Sequence, residues 1–348
     1  MTGRPRISLD AMGGDNAPEI VIAGADRALR RHPDMDLILV GDENRIKPLI
    51  MRSEYLKTAE IIHTDEEVLP EDKPSQAVRS GRNSSMWLAI QNVAEGRADA
   101  VVSAGNTGAL MAMSKLQLRM MEGITRPAIA AFFPTKKGAS CMLDMGANIE
   151  CNEDNLVQFA IMGSAFVKTV LNIKNPSVGL LNVGEEEQKG FDYLRLAANI
   201  LDNPKLGLNY TGFVEGSDLG EGNVDVFVTD GFTGNVALKT AEGVAELFQH
   251  SLRQSFDANW LTRLAYLVAR PVLRDVRKQL DPRAHNGAVF LGLNGISVKS
   301  HGGTDKVGFA NAVHVAAEMI EQRFIPDVSE HISQANQILE NERPENDS

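Results

Sequence analysis

Short apolar runs, each closed by a polar turn rich in glycine and followed by helical spacing, recur along this chain. The clearest unit is 224–243. Residues 224–228 are β-branched and apolar, the pattern of a strand buried on both faces. Asp230-Gly231-Phe232-Thr233-Gly234 cannot continue it, because two glycines and small polar side chains make a tight turn. From Asn235 the spacing becomes helical, with Val236, Lys239, Thr240 and Val244 in successive turns. A strand, a glycine turn and a helix start form either an anion site, where free amides and the positive end of the dipole meet, or an ordinary connection.

The same unit is legible elsewhere. A strand at 7–10 runs through a turn with Gly13 and Gly14 into a helix at 19–31, with Asp15 or Asn16 as its cap and Pro18 in its first turn. Strands are expected at 37–40 and 61–63, a surface loop at 64–77 and a helix at 78–95. The strand 100–103, ending in Ser103, meets the turn 104–108, which holds Gly105, Asn106 and Thr107, and then a helix to about residue 119. Two strands at 128–133 and 139–143 flank a turn, and Asp144 to Asn148 ends the second. A long helix follows over 155–171, then strands at 178–183 and 210–214. The last strands are 288–291 and 295–298, before a polar turn at 299–305 and a helix at 305–323. This alternation predicts a doubly wound, mostly parallel α/β sheet. Ligands of such sheets sit at strand carboxyl ends, so the turns are expected to converge on one cleft. One domain is expected over 1–340, with a disordered tail at 341–348.

Residues 252–280 stand apart. Leu252, Phe256, Trp260, Leu264, Leu267 and Val268 form one helical stripe, and Pro271 is expected to break it into a helix pair. Arg253, Arg263, Arg270, Arg274, Arg277 and Lys278 face only Asp257 and Asp275. A basic amphipathic insertion reads as a membrane-surface or acidic-partner element, or as a dimer or core pair with solvated arginines.

Composition narrows the function classes. The 348 residues carry a formal charge of −11, which argues against a nucleic-acid binder. Cys141 and Cys151 make no CxxC pair and read as small buried hydrophobes in a reducing compartment. With neither a signal-peptide h-region nor a long uncharged apolar run, a cytoplasmic protein is expected.

No G-x-G-x-x-G, Walker A, H-E-x-x-H, G-x-S-x-G or metal-spaced Cys/His set occurs, so no cofactor and no metal are expected. What remains is glycine turns with asparagine, threonine and a few lysines, a chemistry that binds phosphate. Lys189, between two glycines, is placed to reach a phosphate or is simply exposed. Asp10, Asp144 and Asp230 end strands, where each orients a donor, acts as a base or caps a helix. His301 is a ligand or a capped loop residue.

In order along the chain, Asp10-Ala-Met-Gly-Gly-Asp15, Ser103-Ala-Gly-Asn-Thr-Gly-Ala109 and Asp144-Met-Gly-Ala-Asn148 are followed by Leu181-Asn-Val-Gly-Glu-Glu-Glu-Gln-Lys-Gly190 and Phe213-Val-Glu-Gly216. Thr229-Asp-Gly-Phe-Thr-Gly-Asn235 and Lys299-Ser-His-Gly302 complete the set. Over about residues 6–325 this resembles the PlsX family, the phosphate acyltransferases of bacterial phospholipid synthesis. One departure is Arg79, Gly81 and Arg82, where a lysine-rich approach to Ser84-Ser85-Met86 is expected. The resemblance implies a fold like that of the isocitrate and isopropylmalate dehydrogenases, and a homodimer. It also implies an activity in which acyl-[acyl-carrier-protein] and inorganic phosphate give acyl phosphate, for use by a membrane-bound glycerol-3-phosphate acyltransferase. A phosphotransacetylase acting on acyl-coenzyme A is the alternative.

On that reading Lys189, Asn235, Asp230 and His301 are the expected catalytic set. Lys189 meets phosphate and developing charge, Asn235 with the amides of Thr233 and Gly234 holds the oxyanion, and Asp230 and His301 orient them. Asp10, Gly13, Gly14, Ser103, Gly105, Asn106, Thr107, Asn148, Gly231, Thr233 and Gly234 are the expected substrate or phosphate contacts, with Ser103, Asn106 and Thr107 at the phosphate or pantetheine end. Arg253, Phe256, Trp260, Arg263, Leu264, Leu267 and Val268 are expected to meet an anionic membrane or the acidic carrier protein. The protein is accordingly expected at the inner face of the membrane.

Overall fold

The computed structural model describes residues 4–279, 283 and 286–342. The apolar runs become strands β1 (Arg6–Asp10), β2 (Asp36–Gly41), β3 (Glu60–His63), β4 (Ala100–Ser103), β5 (Ala128–Thr135), β6 (Gly138–Leu143), β7 (Ser177–Leu181), β8 (Asn209–Val214), β9 (Val226–Val228), β10 (Ala288–Leu291) and β11 (Ile296–Lys299). They form one sheet in the order β3-β2-β1-β4-β11-β10-β5-β6-β9-β7-β8. Successive side chains of a strand point to opposite faces, so the alternation sorts them into two cores. Leu9, Val102, Val298, Leu143 and Val228 enter one core. Val101, Ile129, Met142, Phe227 and Phe290 enter the other. Both faces need helical cover, which is why these strands read as continuous apolar runs.

The helices are α1 (Glu19–Arg31), α2 (Glu43–Ile50), α3 (Pro74–Ser80), α4 (Ser85–Ala94), α5 (Thr107–Leu118), α6 (Glu153–Val170), α7 (Asp192–Leu201), α8 (Gly231–Asp257), α9 (Trp260–Gln279), α10 (Lys306–Glu321) and α11 (Phe324–Glu342). The region expected as one helix over 78–95 is two, α3 and α4. Gly81 ends the first, and the Ser84 hydroxyl starts the second by accepting from the Trp87 amide. At α1, neither Asp15 nor Asn16 supplies a side-chain cap. Helix α11 covers residues for which the pattern suggested no element, and residues 343–348 of the expected tail lie outside the described residues.

The sheet is mostly parallel but runs in two directions. Strands β3, β2, β1, β4 and β11 are parallel to one another, and so are β6, β9, β7 and β8. Between them β10 and β5 make antiparallel pairings that reverse the sense. Strand β5 carries the register across: Ala130 faces Val289, and its neighbour Ala131 faces Met142. The carboxyl ends of the two halves therefore point out of the sheet in opposite directions along the strand axis. The expectation that all turns converge on one cleft within a protomer does not hold. Lys299 ends β11 and Thr229 follows β9, four strand spacings or about 19 Å apart across the sheet, and they lie at opposite ends of the sheet along the strand axis as well.

Candidate functional site

The described contacts gather the expected site residues into two groups, one per half of the sheet. The first group surrounds Asp10. Its carboxylate accepts the Ser85 hydroxyl and the Ser103 hydroxyl, each at 2.6 Å. Ser103 Oγ in turn accepts the Gly105 amide at 3.0 Å. Burial pushes the Asp10 carboxyl above its usual range, against the pull of these hydroxyls. Asp10 and Ser103 thus tie β1, β4 and α4 together and face inward, beneath the turn, with Gly13 buried beside them. Asp10, Gly13 and Ser103, expected as direct substrate contacts, are all buried, with both side chains committed to this network.

Above them opens a cleft of about 400 Å³. Gly14, Gly105, Asn106, Thr107, Gly108 and Gly302 line it, with Lys299 and the apolar wall of Met12, Val68, Leu69 and Pro70. Asn106 is spent on structure: Oδ1 caps α5 through the Ala109 amide, and Nδ2 donates to the carbonyls of Pro70 and Asp72. His301 is exposed in the adjoining loop, where its amide donates to Asn286 and its ring nitrogen accepts from Gly303.

Lys299 is the residue that pattern reading passed over. Its ammonium donates to the Ala104 carbonyl at 3.2 Å and to the Ser300 carbonyl. Burial lowers its pKa to about 8, against the opposing pull of Asp10 and Asp15. The available signal was a lysine ending an apolar strand just before Ser300-His301-Gly302.

The second group surrounds Asp144. This fully buried carboxylate accepts the amides of Ile129, Gly146, Ala147 and Asn148 and the Asn148 side chain, at 2.7 to 3.2 Å. Burial nevertheless leaves its pKa raised. Asn148 also donates to the Pro127 carbonyl, so its side chain holds the turn rather than facing outward.

Asp230 is the N-cap of α8. Its two oxygens take the Thr233 amide and the Thr233 hydroxyl, each at 2.8 Å. The Gly231 amide goes to the Asn148 carbonyl and the Gly234 amide to the Asp230 carbonyl. The free amides expected at Thr233 and Gly234 are therefore already engaged, the first by the Asp230 carboxylate and the second by the Asp230 main-chain carbonyl. Asn235 is exposed, and its side chain lies over Gly146.

Lys189 arrives from the neighbouring strand. Leu180 of β7 faces Val228 of β9, so the loop after β7 and the turn after β9 emerge side by side. The Asn182 side chain clamps that loop by donating to the carbonyls of Gly184 and Lys189. Gly190 has φ +85° and lies so close that a Cβ would stand 2.1 Å from Asn182 Oδ1, so only glycine fits. The exposed Lys189 ammonium pairs with Glu186 at 2.7 Å, and that carboxylate holds its pKa above the ordinary lysine value. Tyr193 completes the group. Burial and the facing Asp230 carboxylate raise its hydroxyl to about 12.

Helices α8 and α9 form a hairpin. The break falls at residues 258–259 and Pro271 lies within α9, contrary to the expected break at Pro271. Asn259 and Thr262 explain the position, since each side chain accepts the other's amide in a reciprocal cap. Val244, Leu247, Trp260, Leu264, Leu267 and Val268 are all more than half exposed. Phe256 is turned inward instead, edge-on to Tyr266. Arg253 and Arg263 are exposed. No helix among the described residues is long and apolar enough to cross a membrane, and those residues hold no cluster able to bind a metal.

Residues 5–326 match the model of the family described as fatty acid synthesis protein. The chain is 54% identical to the phosphate acyltransferase of Rhodospirillum centenum, over 98% of this chain and 96% of that one. It is 56% identical to the phosphate acyltransferase of Parvibaculum lavamentivorans, over 92% and 89%. Among solved structures, a phosphotransacetylase from Streptococcus pyogenes superposes with a TM-score of 0.63 at 16% identity, covering 91% of this chain and 94% of that one. The EutD phosphotransacetylase from Staphylococcus aureus gives 0.60 at 17%, with the same coverage. These structures share the doubly wound α/β fold.

Proposed function

Because the chain belongs to the PlsX family of phosphate acyltransferases, we propose that it moves a fatty acyl group from acyl-[acyl-carrier-protein] to inorganic phosphate. The observation that carries this reading is more than 50% identity over nearly the whole chain to enzymes of that name. In the reaction a phosphate oxygen attacks the thioester carbonyl. The carbon–sulfur bond then breaks, and acyl phosphate and a thiolate leave.

The residues suit such chemistry. Phosphate is already anionic at neutral pH, so no serine or cysteine nucleophile is required. Both cysteines are unsuited to the task in any case, since burial raises Cys151 to about 11 and Cys141 higher still. The leaving thiol has an ordinary pKa of about 8.5, so strong acid catalysis is unnecessary. The demands are positioning and donors for the tetrahedral oxyanion. Lys189 and Asn235, exposed on adjacent loops, are our candidates for the developing charge, oriented by Asp230. Thr107 and the glycines of the cleft are candidates for the phosphate or pantetheine end.

We place the product in phospholipid synthesis, passed to a membrane-bound glycerol-3-phosphate acyltransferase, and the working form as a homodimer. The exposed stripe of α9 supports contact with an anionic membrane, and its arginines suit the acidic carrier protein.

Thiol release from a long-chain acyl-carrier-protein, with and without phosphate, beside the coenzyme A thioester, tests the reading. Phosphate-dependent release from the carrier protein supports it. Release from coenzyme A alone makes the protein a phosphotransacetylase. Near-normal turnover of Lys189→Ala and Asn235→Ala at saturating phosphate would remove the residue assignment. Vesicle co-sedimentation unchanged by Trp260→Glu with Leu264→Glu would remove the membrane contact.

A further inference from the structure

A part-buried ammonium in an open cleft needs an anion, and among the described residues no carboxylate pairs directly with Lys299. Its described partners are two main-chain carbonyl oxygens, which carry only partial charge. Asp10 spends its oxygens on Ser85 and Ser103, and Asp15 lies exposed at the cleft wall. Both act on Lys299 only as more distant charges. Buried charges are normally paired, because desolvation costs more than dipoles alone return. Around the same cavity the chain comes close through Gly14, Gly105, Gly108 and Gly302, so backbone and Lys299 share one small volume. The other charged groups of the lining, Asp15 and Glu67, are both exposed while Lys299 is part-buried, so the more sheltered part of the cleft is cationic and its exposed rim is acidic.

The geometry points to Lys299 as the anchor for a phosphoryl anion at the floor of this cleft. The inference rests on the acyl-transfer reading, which offers two sources of that chemistry. One is the inorganic phosphate acceptor. The other is the phosphodiester of the carrier protein's prosthetic arm, for which the wall of Met12, Val68, Leu69 and Pro70 supplies apolar contact. Lys299 is about 19 Å of sheet away from the Lys189 loop's neighbour strand, so it is a separate contact from the Lys189–Asn235 group.

The test uses the wild-type protein. A brief acetic anhydride pulse near pH 8, followed by mass spectrometry of the Lys299 peptide, reads how accessible the amine is. Inorganic phosphate and 4′-phosphopantetheine are added separately as protectants. Protection by phosphate, with a phosphate KM raised about tenfold or more in Lys299→Gln and partly restored in Lys299→Arg, assigns the acceptor. Protection by phosphopantetheine alone, with the rise in the KM for the acyl-carrier-protein, assigns the donor's phosphodiester. Labelling unchanged by either probe overturns the inference. Thiol release is measured on the same preparation. Release with no protection leaves the acyl-transfer reading standing and removes only Lys299. No release removes the reading itself, while the labelling still reports on the anion site.

Discussion

The Ser103 hydroxyl donates to the Asp10 carboxylate at 2.6 Å, joining the carboxyl ends of two adjacent strands beneath the cleft. Ser85 donates to the other oxygen from the start of α4. Removing the acceptor strands two buried hydroxyls. Asp10→Ala is therefore expected to lose about 2 kcal/mol of stability, the unsatisfied donors outweighing relief of the buried charge. Denaturant midpoints check this, and an Asp10→Ala protein as stable as the wild type would show that the network does not hold the turn.

Two glycines of one helix should respond in opposite directions. A Cβ at Gly234 would stand 2.0 Å from the Asp144 carbonyl oxygen, whereas one at Gly243 meets nothing within 4 Å. Gly234→Ala should cost about 2 kcal/mol or more, since backbone must shift. Gly243→Ala should gain about 0.5–1 kcal/mol from helix propensity. Equal effects in thermal or denaturant unfolding would mean that α8 does not approach the Asp144 turn this closely.

Lys299 makes a pH prediction. Its folded pKa of about 8 lies below the ordinary lysine value of 10.5. Below pH 8 both states hold the proton, and the buried charge costs stability in full. Between 8 and 10.5 only the unfolded chain holds it, so this group's contribution to stability rises with pH. Measured against Lys299→Met, the wild type should improve by about 3 kcal/mol across that window. Equal slopes for the two proteins would mean that the amine is solvated.

The reciprocal cap at Asn259 and Thr262 fixes where the α8–α9 hairpin turns. Asn259→Ala should weaken the start of α9 by about 1 kcal/mol, seen as faster hydrogen exchange at Thr262 and Arg263. Unchanged exchange there would place the control of the hairpin elsewhere.

Much of the fold was legible because its signals are local. The helix at 19–31, the hairpin around 134–138 and the strands at 288–291 stand in the pattern of apolar positions and turns, since burial on both faces writes uninterrupted apolar runs. Where a local rule misled, another local interaction won. Asn259 with Thr262 outweighed Pro271 as the helix break, and Gly81 with Ser84 split the expected helix at 78–95.

The site was less legible, because motif spacing does not encode strand direction. Local pattern was enough for the inventory: glycine turns after strands, Asp10, Asp144 and Asp230 as their acidic ends, and an amphipathic hairpin. What surrounds those groups came from strand pairing and packing. Pairing through β10 and β5 reverses the second half of the sheet and separates the turns to opposite ends of the strands. Packing then turns Asp10, Ser103 and Asn148 inward, where desolvation commits each to protein partners. It leaves the amine of Lys299 at the floor of a cleft. Burial and long-range pairing depend on residues up to hundreds of positions apart, so no local pattern carries them.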